Sequence, residues 1–488
     1  MEHSVRFFNT WIPALLLLAF SASCTVFSPP ATEDMQSLLP QQFSVADTNS
    51  TAHGDPWWQD FGNSDINTVV NNALAGNLSI AQAEARLRQA AARARKAGAA
   101  LVPELSLAGG AGVSRQHSDS SPTSESAATT DTESYSLGLS AASYEVDLWG
   151  RVRAARNAAR ETWQASAQDL ATARITLSAD ITDAWLQLLE LQNRRALIAS
   201  QLETSRKLID LLQVRRRLSQ SSALDVYQQE QSAAAISALV PQVDIQLTVL
   251  TNQLNILQGR AIDTPLPQSI TNLPTLPPLP SVGLPADLLT NRPDILAAQR
   301  RLESAGWNLA AARADRLPAL RLTGKAAYQS DQFSSLFDNW ILNIASSLTA
   351  PLIDGGRRRA EVDLQQAALD EQLAAYKATV LNAVAEVENA LQREQQQQRL
   401  LEALQRQRDF AYSALLEARN RYRKGSIDYL NVLTALTSVQ TLDRQLITAQ
   451  RQLLSYRVGL CRALGTSWNA DLQNSRLTAN NEDNHEQK

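Results

Sequence analysis

Cysteine is nearly missing from this chain. Its 488 positions hold two, Cys24 and Cys461, so a disulfide framework is excluded as the organising principle. Methionine is as scarce, with only Met1 and Met35, and a thioether path for soft metal ions cannot be built. The four histidines, His3, His53, His117 and His485, are scattered, and no pair has metal-ligand spacing. No segment approaches 18 consecutive apolar residues, so no transmembrane helix is expected. The 45 basic and 49 acidic residues leave a net charge of −4, which gives no basic footprint for nucleic acid. A catalytic constellation is missing too. "GGAGV" (109–113) lacks the GxGxxG spacing of a phosphate cradle and reads as strand, with glycine letting the strand bend. Neither an enzyme nor a bound cofactor is expected.

What the chain does have is Ala, Leu, Gln and Arg, a composition of long helices. Its first residues read as an export signal, 1–23. Arg6 stands in a short basic region, "WIPALLLLAF" (11–20) is an apolar core too short to span a bilayer, and Ser21, Ala22 and Ser23 precede Cys24. Cys24 as first mature residue suggests a bacterial lipoprotein whose thiol is acylated, although Ser21 stands where a lipobox usually has Leu. The alternative is ordinary cleavage with Cys24 unmodified. Thr25, rather than Asp, then sorts the protein to the outer membrane. Residues 24–62 read as the anchor and a polar tether, and 469–488 as a polar tail.

Between these ends the chain repeats itself. "RADRLPALRLTG" (313–324) passes from charges at helical spacing, through Leu317-Pro318, into alternating Leu320, Arg321, Leu322 and Thr323. "KAGAALVPELSLAG" (96–109) makes the same move at Val102-Pro103, and the offset is 318 − 103 = 215. Further along, Gly150 of "VDLWGR" falls on Gly356 of "LIDGGR", an offset of 356 − 150 = 206, which holds from there to Gly259 and Gly465. Two internal repeats are therefore predicted, 63–263 and 287–468, joined by a Pro-rich extended linker, 264–286. Each reads helix, strand, loop, strand, long helix, tip, helix. The first helix is predicted over 66–101, and the strands near 104–116 and 134–147, then 319–329 and 340–352. The helix after Gly150 should run about 67 residues, about 100 Å. Leu170, Leu177, Ile181, Ala184, Leu188, Leu191 and Ile198 form a coiled-coil-like seam along it.

The fold class predicted is α+β, mostly α. Four strands with alternating faces leave two bare edges, and no other segment remains to cover them. In a bilayer such strands must close into a barrel, and strands of about ten residues are the length a transmembrane barrel uses. Four are too few; three subunits supply twelve. The expected assembly is a homotrimer in which a transmembrane β-barrel, four strands per subunit, is continuous with a long periplasmic α-helical barrel. Pro103 and Pro318 then mark where helix gives way to strand, and Gly150, Gly355 and Gly356 mark the return.

Five stretches carry a more specific resemblance: "PWWQDFG" (56–62), "YEVDLWGRVRAA" (144–155), "GLPADLLTNRPDILAAQRRL" (283–302), "APLIDGGRRRAE" (350–361) and "RYRKGSIDYLNVLTA" (421–435). In this order they resemble the TolC-like outer-membrane factor family, in its lipoprotein (NodT-type) branch. The resemblance implies a passive duct that docks onto a periplasmic adaptor protein and an inner-membrane pump of RND type, and exports small molecules such as drugs. It also implies a periplasmic gate where the helix tips meet. Asp225 and Tyr422 fall at closing positions, with Arg421 and Arg423 as candidate partners of Asp225. Asn431 and Thr434 stand where relatives often carry carboxylates, and Asp428 is a nearby substitute. "REQQQQR" (393–399) reads as a solvated helix face and Cys461 as a buried small side chain. The alternatives are a duct for type I-like protein secretion and a lipid-anchored periplasmic spacer.

Overall fold

The computed structural model describes residues 35, 39–44, 56–118, 128–267, 272–280 and 282–465. The export signal, Cys24 and the tail 469–488 lie outside the described residues. Backbone contacts divide the chain into two units. The first holds Leu87–Ser166 and Ala298–Tyr376; the second holds the described residues of Asp34–Arg86, Ala167–Ala297 and Lys377–Lys488.

Helices α1 (Ser64–Gly76) and α2 (Leu78–Ala99) stand where one helix was predicted. Asn77 separates them. Its side-chain oxygen accepts from the Ser79 and Ile80 amides at 2.8 and 3.1 Å, capping α2, while its Nδ2 donates to the Leu257 carbonyl at 2.7 Å. Asn competes with the helix for its own backbone, so it ends one helix and starts the next. Strands β1 (Leu105–Ser118) and β2 (Ala128–Val146) follow, then α3 (Arg151–Arg217), α4 (Ala223–Ser237) and α5 (Leu239–Leu257). Beyond the extended linker come α6 (Pro293–Ala314), β3 (Ala319–Ser330), β4 (Trp340–Thr349), α7 (Arg357–Arg423) and α8 (Tyr429–Leu464). β4 ends three residues before its predicted limit of 352. Residues 350–353 bear no ladder, because Pro351 has no amide to donate.

The second half tracks the first residue for residue beyond the strands. α3 and α7 each have 67 residues, with both ends offset by 206 (357 − 151 and 423 − 217). Gly150 and Gly356 are left-handed at φ 78° and 83°, as are Gly259 and Gly465 at 67° and 70°.

In the first unit the strands form one antiparallel sheet in the order β1-β2-β3-β4. Its registers set Leu107 opposite Leu139, Ala326 opposite Leu342, and Tyr328 opposite Trp340. α6 packs in the same unit, where the Ser304 hydroxyl donates to the Ala158 carbonyl at 2.9 Å and Arg300 pairs with Glu161 at 3.2 Å.

In the second unit every residue of the predicted seam on α3 is buried, from Leu170 to Ile198. Ser178, Thr182, Trp185, Leu186 and Glu190 are buried as well, so this part of α3 is covered on most of its circumference rather than along one stripe. The 393–399 stretch is not a solvated face. Glu394 and Gln397 are buried; Gln397 donates to the Ala449 carbonyl at 3.0 Å and Glu394 pairs with Arg457 at 2.5 Å. Polar composition hid this, because every third side chain of that run, Glu394 and Gln397, turns into the interface and only there meets its partner. Cys461 is buried as expected, and burial pushes its thiol up to about 12.

Candidate functional site: the sheet and the helix tips

The sheet has two unlike faces. One carries Leu105, Leu107, Val113, Leu137, Leu139, Leu320, Leu322, Ile344 and Leu348, paired across strands by the registers. The other carries Ser106, Gly110, Gly112, Ser136, Ser140, Lys325, Asn343 and Ser347. The apolar face is bare: Leu107, Ile344 and Leu348 are 70, 76 and 68% exposed. A bulge between Ala141 and Tyr144 adds one residue to β2. That shift keeps Tyr144 and Val146 on the apolar face, opposite Leu322 and Leu320, and places Glu145 opposite Arg321 on the polar face. Small residues let the polar face close up. A Cβ on Gly138 would come within 2.4 Å of the Ala327 Cβ, so only glycine fits there.

Aromatic side chains bracket the apolar band. At the hairpin end Tyr135 packs on Phe333 (centroids 5.6 Å) and Tyr328 on Phe337 (5.3 Å), with Trp340 beside them in register. At the helical end the Tyr144 hydroxyl donates to the Leu101 carbonyl at 3.0 Å, and the Trp149 indole donates to the Pro318 carbonyl at 2.7 Å. A bare apolar band between two aromatic girdles is the lipid face of a membrane strand sheet. Pro103 and Pro318 stand at the helix-to-strand breaks as predicted, each one or two residues before a strand begins. Each helix ends with a last-turn bond, Val102 to Ala99 and Leu317 to Ala314, before the proline removes the next donor. On the return, Asp147 caps α3 through the Val152 and Arg153 amides, both at 2.9 Å, and Asp354 caps α7 through Gly356 and Arg358. Those bonds hold the Asp354 carboxyl below its ordinary range.

The tips lie in the second unit and are built alike. After α3, Ser219 and Gln220 donate back to Arg216 and Arg215; after α7, Gly425 and Ser426 donate to Tyr422 and Arg421. Both are left-handed caps, with Ser219 at φ 57° where the second tip has Gly425 at φ 72°. Between them lies a core of Leu212, Val226, Leu415, Tyr429, Val432 and Leu436. The Tyr429 hydroxyl donates to Gln229 Oε1 at 2.7 Å, and Gln229 donates on to the Ser205 carbonyl at 3.3 Å. Burial pushes the Tyr429 phenol up to about 12, so it stays neutral. Tyr422 stacks edge-on against Tyr429 at 5.5 Å, and the Arg215 guanidinium sits 4.8 Å over the Tyr422 ring.

Of the predicted gate residues, Tyr422 joins this cluster. Its hydroxyl is buried with no hydrogen-bond partner among the described residues. Asp225 does not pair with Arg421 or Arg423. It closes a capping box instead, accepting from Ser221 Oγ at 2.8 Å and the Ser222 amide at 2.9 Å. Arg421 pairs with Glu417 four residues back, and Arg423 donates to Asn420. The capping box wins because Asp225 sits at N3, already within reach of the orphan amide. Asp428, Asn431 and Thr434 are exposed at helical spacing on the opening turns of α8, and Asp428 makes no side-chain cap. Tyr429, Gln229 and Arg215 were missed by the sequence reading. They come from three helices, and no local spacing links them. Among the described residues no group of His, Cys, Asp and Glu could hold a metal ion.

A sheet lipid-facing on one side and small and polar on the other, with both edges open and helices of 67 residues continuing from it, is the plan of an outer-membrane channel protein. The comparisons agree. The family described as outer membrane efflux protein matches residues 69–260 and 284–466, leaving out the Pro-rich linker. The pyoverdine export outer membrane protein OpmQ of Pseudomonas putida is 33% identical over 467 residues, covering 94% of this chain and 98% of that one. Nodulation protein T of Rhizobium leguminosarum bv. trifolii is 26% identical over 475 residues, 95% and 98% of the two chains. Among solved structures, the outer-membrane channel OprN superposes with a TM-score of 0.82 at 28% identity, over 91% of this chain and all of that one. VceC of Vibrio cholerae gives 0.77 at 28% identity, over 84% and 98%. This chain belongs to the outer membrane efflux protein family. It is an outer-membrane protein that extends into the periplasm.

Proposed function

We propose that the chain is the outer-membrane duct of a tripartite efflux system. Three copies join β4 of one to β1 of the next, closing a barrel of twelve strands, and their helices close a second barrel below it. The observation that carries this is the sheet: a bare apolar face ringed by aromatics, with β1 and β4 both left as open edges. A lipid-anchored spacer has no use for such a sheet. The duct is passive, taking cargo from a periplasmic adaptor and an RND-type inner-membrane pump. The cargo is small organic molecules, in keeping with relatives named for pyoverdine export and for toluene and antibiotic efflux. Cys24 carries the lipid anchor. Tyr422, with its unpartnered hydroxyl, and the exposed Asp428, Asn431 and Thr434, with Asp225 and Arg423 beside them, form the contact between tips that closes the duct. The test is the mass of the protein extracted from outer membranes in mild detergent, followed by conductance in planar bilayers. A trimer that conducts is expected; a stable monomer overturns the proposal.

A further inference from the structure

The polar face of the sheet carries few charges, and one of them stands apart. Among the described strand residues on that face the charged side chains are Glu145, Arg321 and Lys325. Glu145 accepts from Arg151 at 2.7 Å and lies 4.0 Å from Arg321, at the helical end of the sheet. Lys325 is exposed and, among the described residues, has no ion pair or hydrogen bond to its side chain. Its cross-strand neighbours are Ser140 and Asn343, both neutral. No described polar-face position of β1 or β4 carries a carboxylate, so a second copy joined at either edge brings none to its level. Nor is the exposure of Lys325 that of an open edge, because β3 lies between β2 and β4 of the same chain.

The depth of Lys325 is fixed by its backbone neighbours. Gly324 and Ala326 pair with Ile344 and Leu342 on the other face, and those two side chains are 76 and 58% exposed within the apolar band. Lys325 therefore stands at the level of the lipid-facing band. The nearer end of β3 is five residues away, about 17 Å, farther than a lysine stem carries its ammonium. An ammonium held there without a counter-ion needs water around it, so the polar face is wet at this level.

We propose that Lys325 is a specificity-determining residue of the duct: three copies of it ring the pore at mid-membrane and tilt passage toward small anions over small cations. The proposal rests on the twelve-stranded barrel of the proposed function. A ring of lysines lets a pore prefer anions through its field, without a tight binding site. In a pore of twelve strands each ammonium lies within about 10 Å of the axis, about one Debye length at 0.1 M salt, so the field reaches the centre. The cargo class this favours is organic anions; cations of the same size meet a repulsive collar.

The experiment inserts the full chain into planar bilayers. It reads the chloride-to-potassium permeability ratio from reversal potentials in KCl gradients at about 0.1 M and at about 1 M. At the lower salt K325Q should lower the ratio about two- to fourfold, and K325E by about the square of that. K325R should keep the wild-type ratio. N343D sets a carboxylate opposite Lys325 in register and should lower the ratio as K325Q does, with the lysine left in place. At about 1 M, where the Debye length falls to about 3 Å, all the ratios should converge. An unchanged ratio at the lower salt, in either K325Q or N343D that inserts, overturns the assignment. A shift that persists undiminished at about 1 M also overturns it, because it reports a changed pore shape rather than a lost charge. Failure of the duct reading itself is separate: the wild-type chain would then give no conductance.

Discussion

Substituting Arg457 tests whether a buried ion pair holds the Pro-rich linker to the second unit. Arg457 and Glu394 have side chains only 3 and 5% exposed, joined by two bonds of 2.5 and 2.8 Å. The remaining nitrogen of Arg457 donates to the carbonyls of Pro277 and Pro278. A stretch with prolines at 274, 277, 278 and 280 has few amides of its own, so its carbonyls must find donors elsewhere. R457M removes the donor, strands Glu394 as a buried unpaired charge, and leaves two carbonyls unsatisfied. Breaking such a pair costs about 3–5 kcal/mol. R457M/E394M replaces both partners by apolar side chains of similar volume and should recover most of that loss, leaving about 1–2 kcal/mol for the linker carbonyls. The assay is guanidinium denaturation of the detergent-solubilised protein, followed by tryptophan fluorescence, since Trp57, Trp58 and Trp185 are buried in this unit. Proteinase K cleavage within 272–280 gives a second readout and should accelerate in both variants. If R457M loses less than about 1 kcal/mol, or if the double variant is as unstable as the single one, the pair does not act as argued.

The two tips offer reciprocal changes. S219G should stabilise by about 1 kcal/mol, because Ser219 is the one described non-glycine residue at positive φ, and G425A should destabilise by a similar amount, since a Cβ there meets nothing and only the backbone term acts; thermal midpoints check both. Cys461 should resist maleimide in the folded protein and react only on denaturation, because its thiol is buried and held protonated well above neutral pH. Glu388 fastens the N-terminal segment by accepting from the Ser44 hydroxyl and its amide, the latter at 3.1 Å. Those bonds depress the Glu388 carboxyl below its ordinary 4.5, so their contribution is complete above that pH and is lost as pH falls through the depressed value. Protection of 39–44 from hydrogen exchange, taken relative to the intrinsic rate at each pH, should therefore fall at acidic pH in wild type and be low at every pH in E388A.

The periodic parts of this protein were legible from residues alone. Helices of 67 residues, four alternating strands, the breaks at Pro103 and Pro318 and the returns at Gly150 and Gly356 all follow from local chemistry: side-chain period, a missing amide, a left-handed turn. The resemblance carried by "GLPADLLTNRPDILAAQRRL" and its companion stretches led to the family. What the sequence could not decide were contacts between residues far apart in the chain. Asp225 carries the same charge whether it caps its own helix or reaches Arg421, and only the placement of Ser222 favours the cap. "REQQQQR" is polar throughout, yet Glu394 is buried because Arg457, 63 residues later, packs against it. The Tyr422, Tyr429, Gln229 and Arg215 cluster draws on four helices that no spacing rule connects. The Ala141/Tyr144 bulge passes the apolar face from Leu137, Leu139 and Ala141 to Tyr144 and Val146, and its pairing with β3, far off in the chain, is what sets Glu145 opposite Arg321 on the polar face. Local pattern fixes which residues form an element and which face is apolar; which charges are satisfied, and by whom, depends on the packing of elements that the chain separates by tens to hundreds of residues.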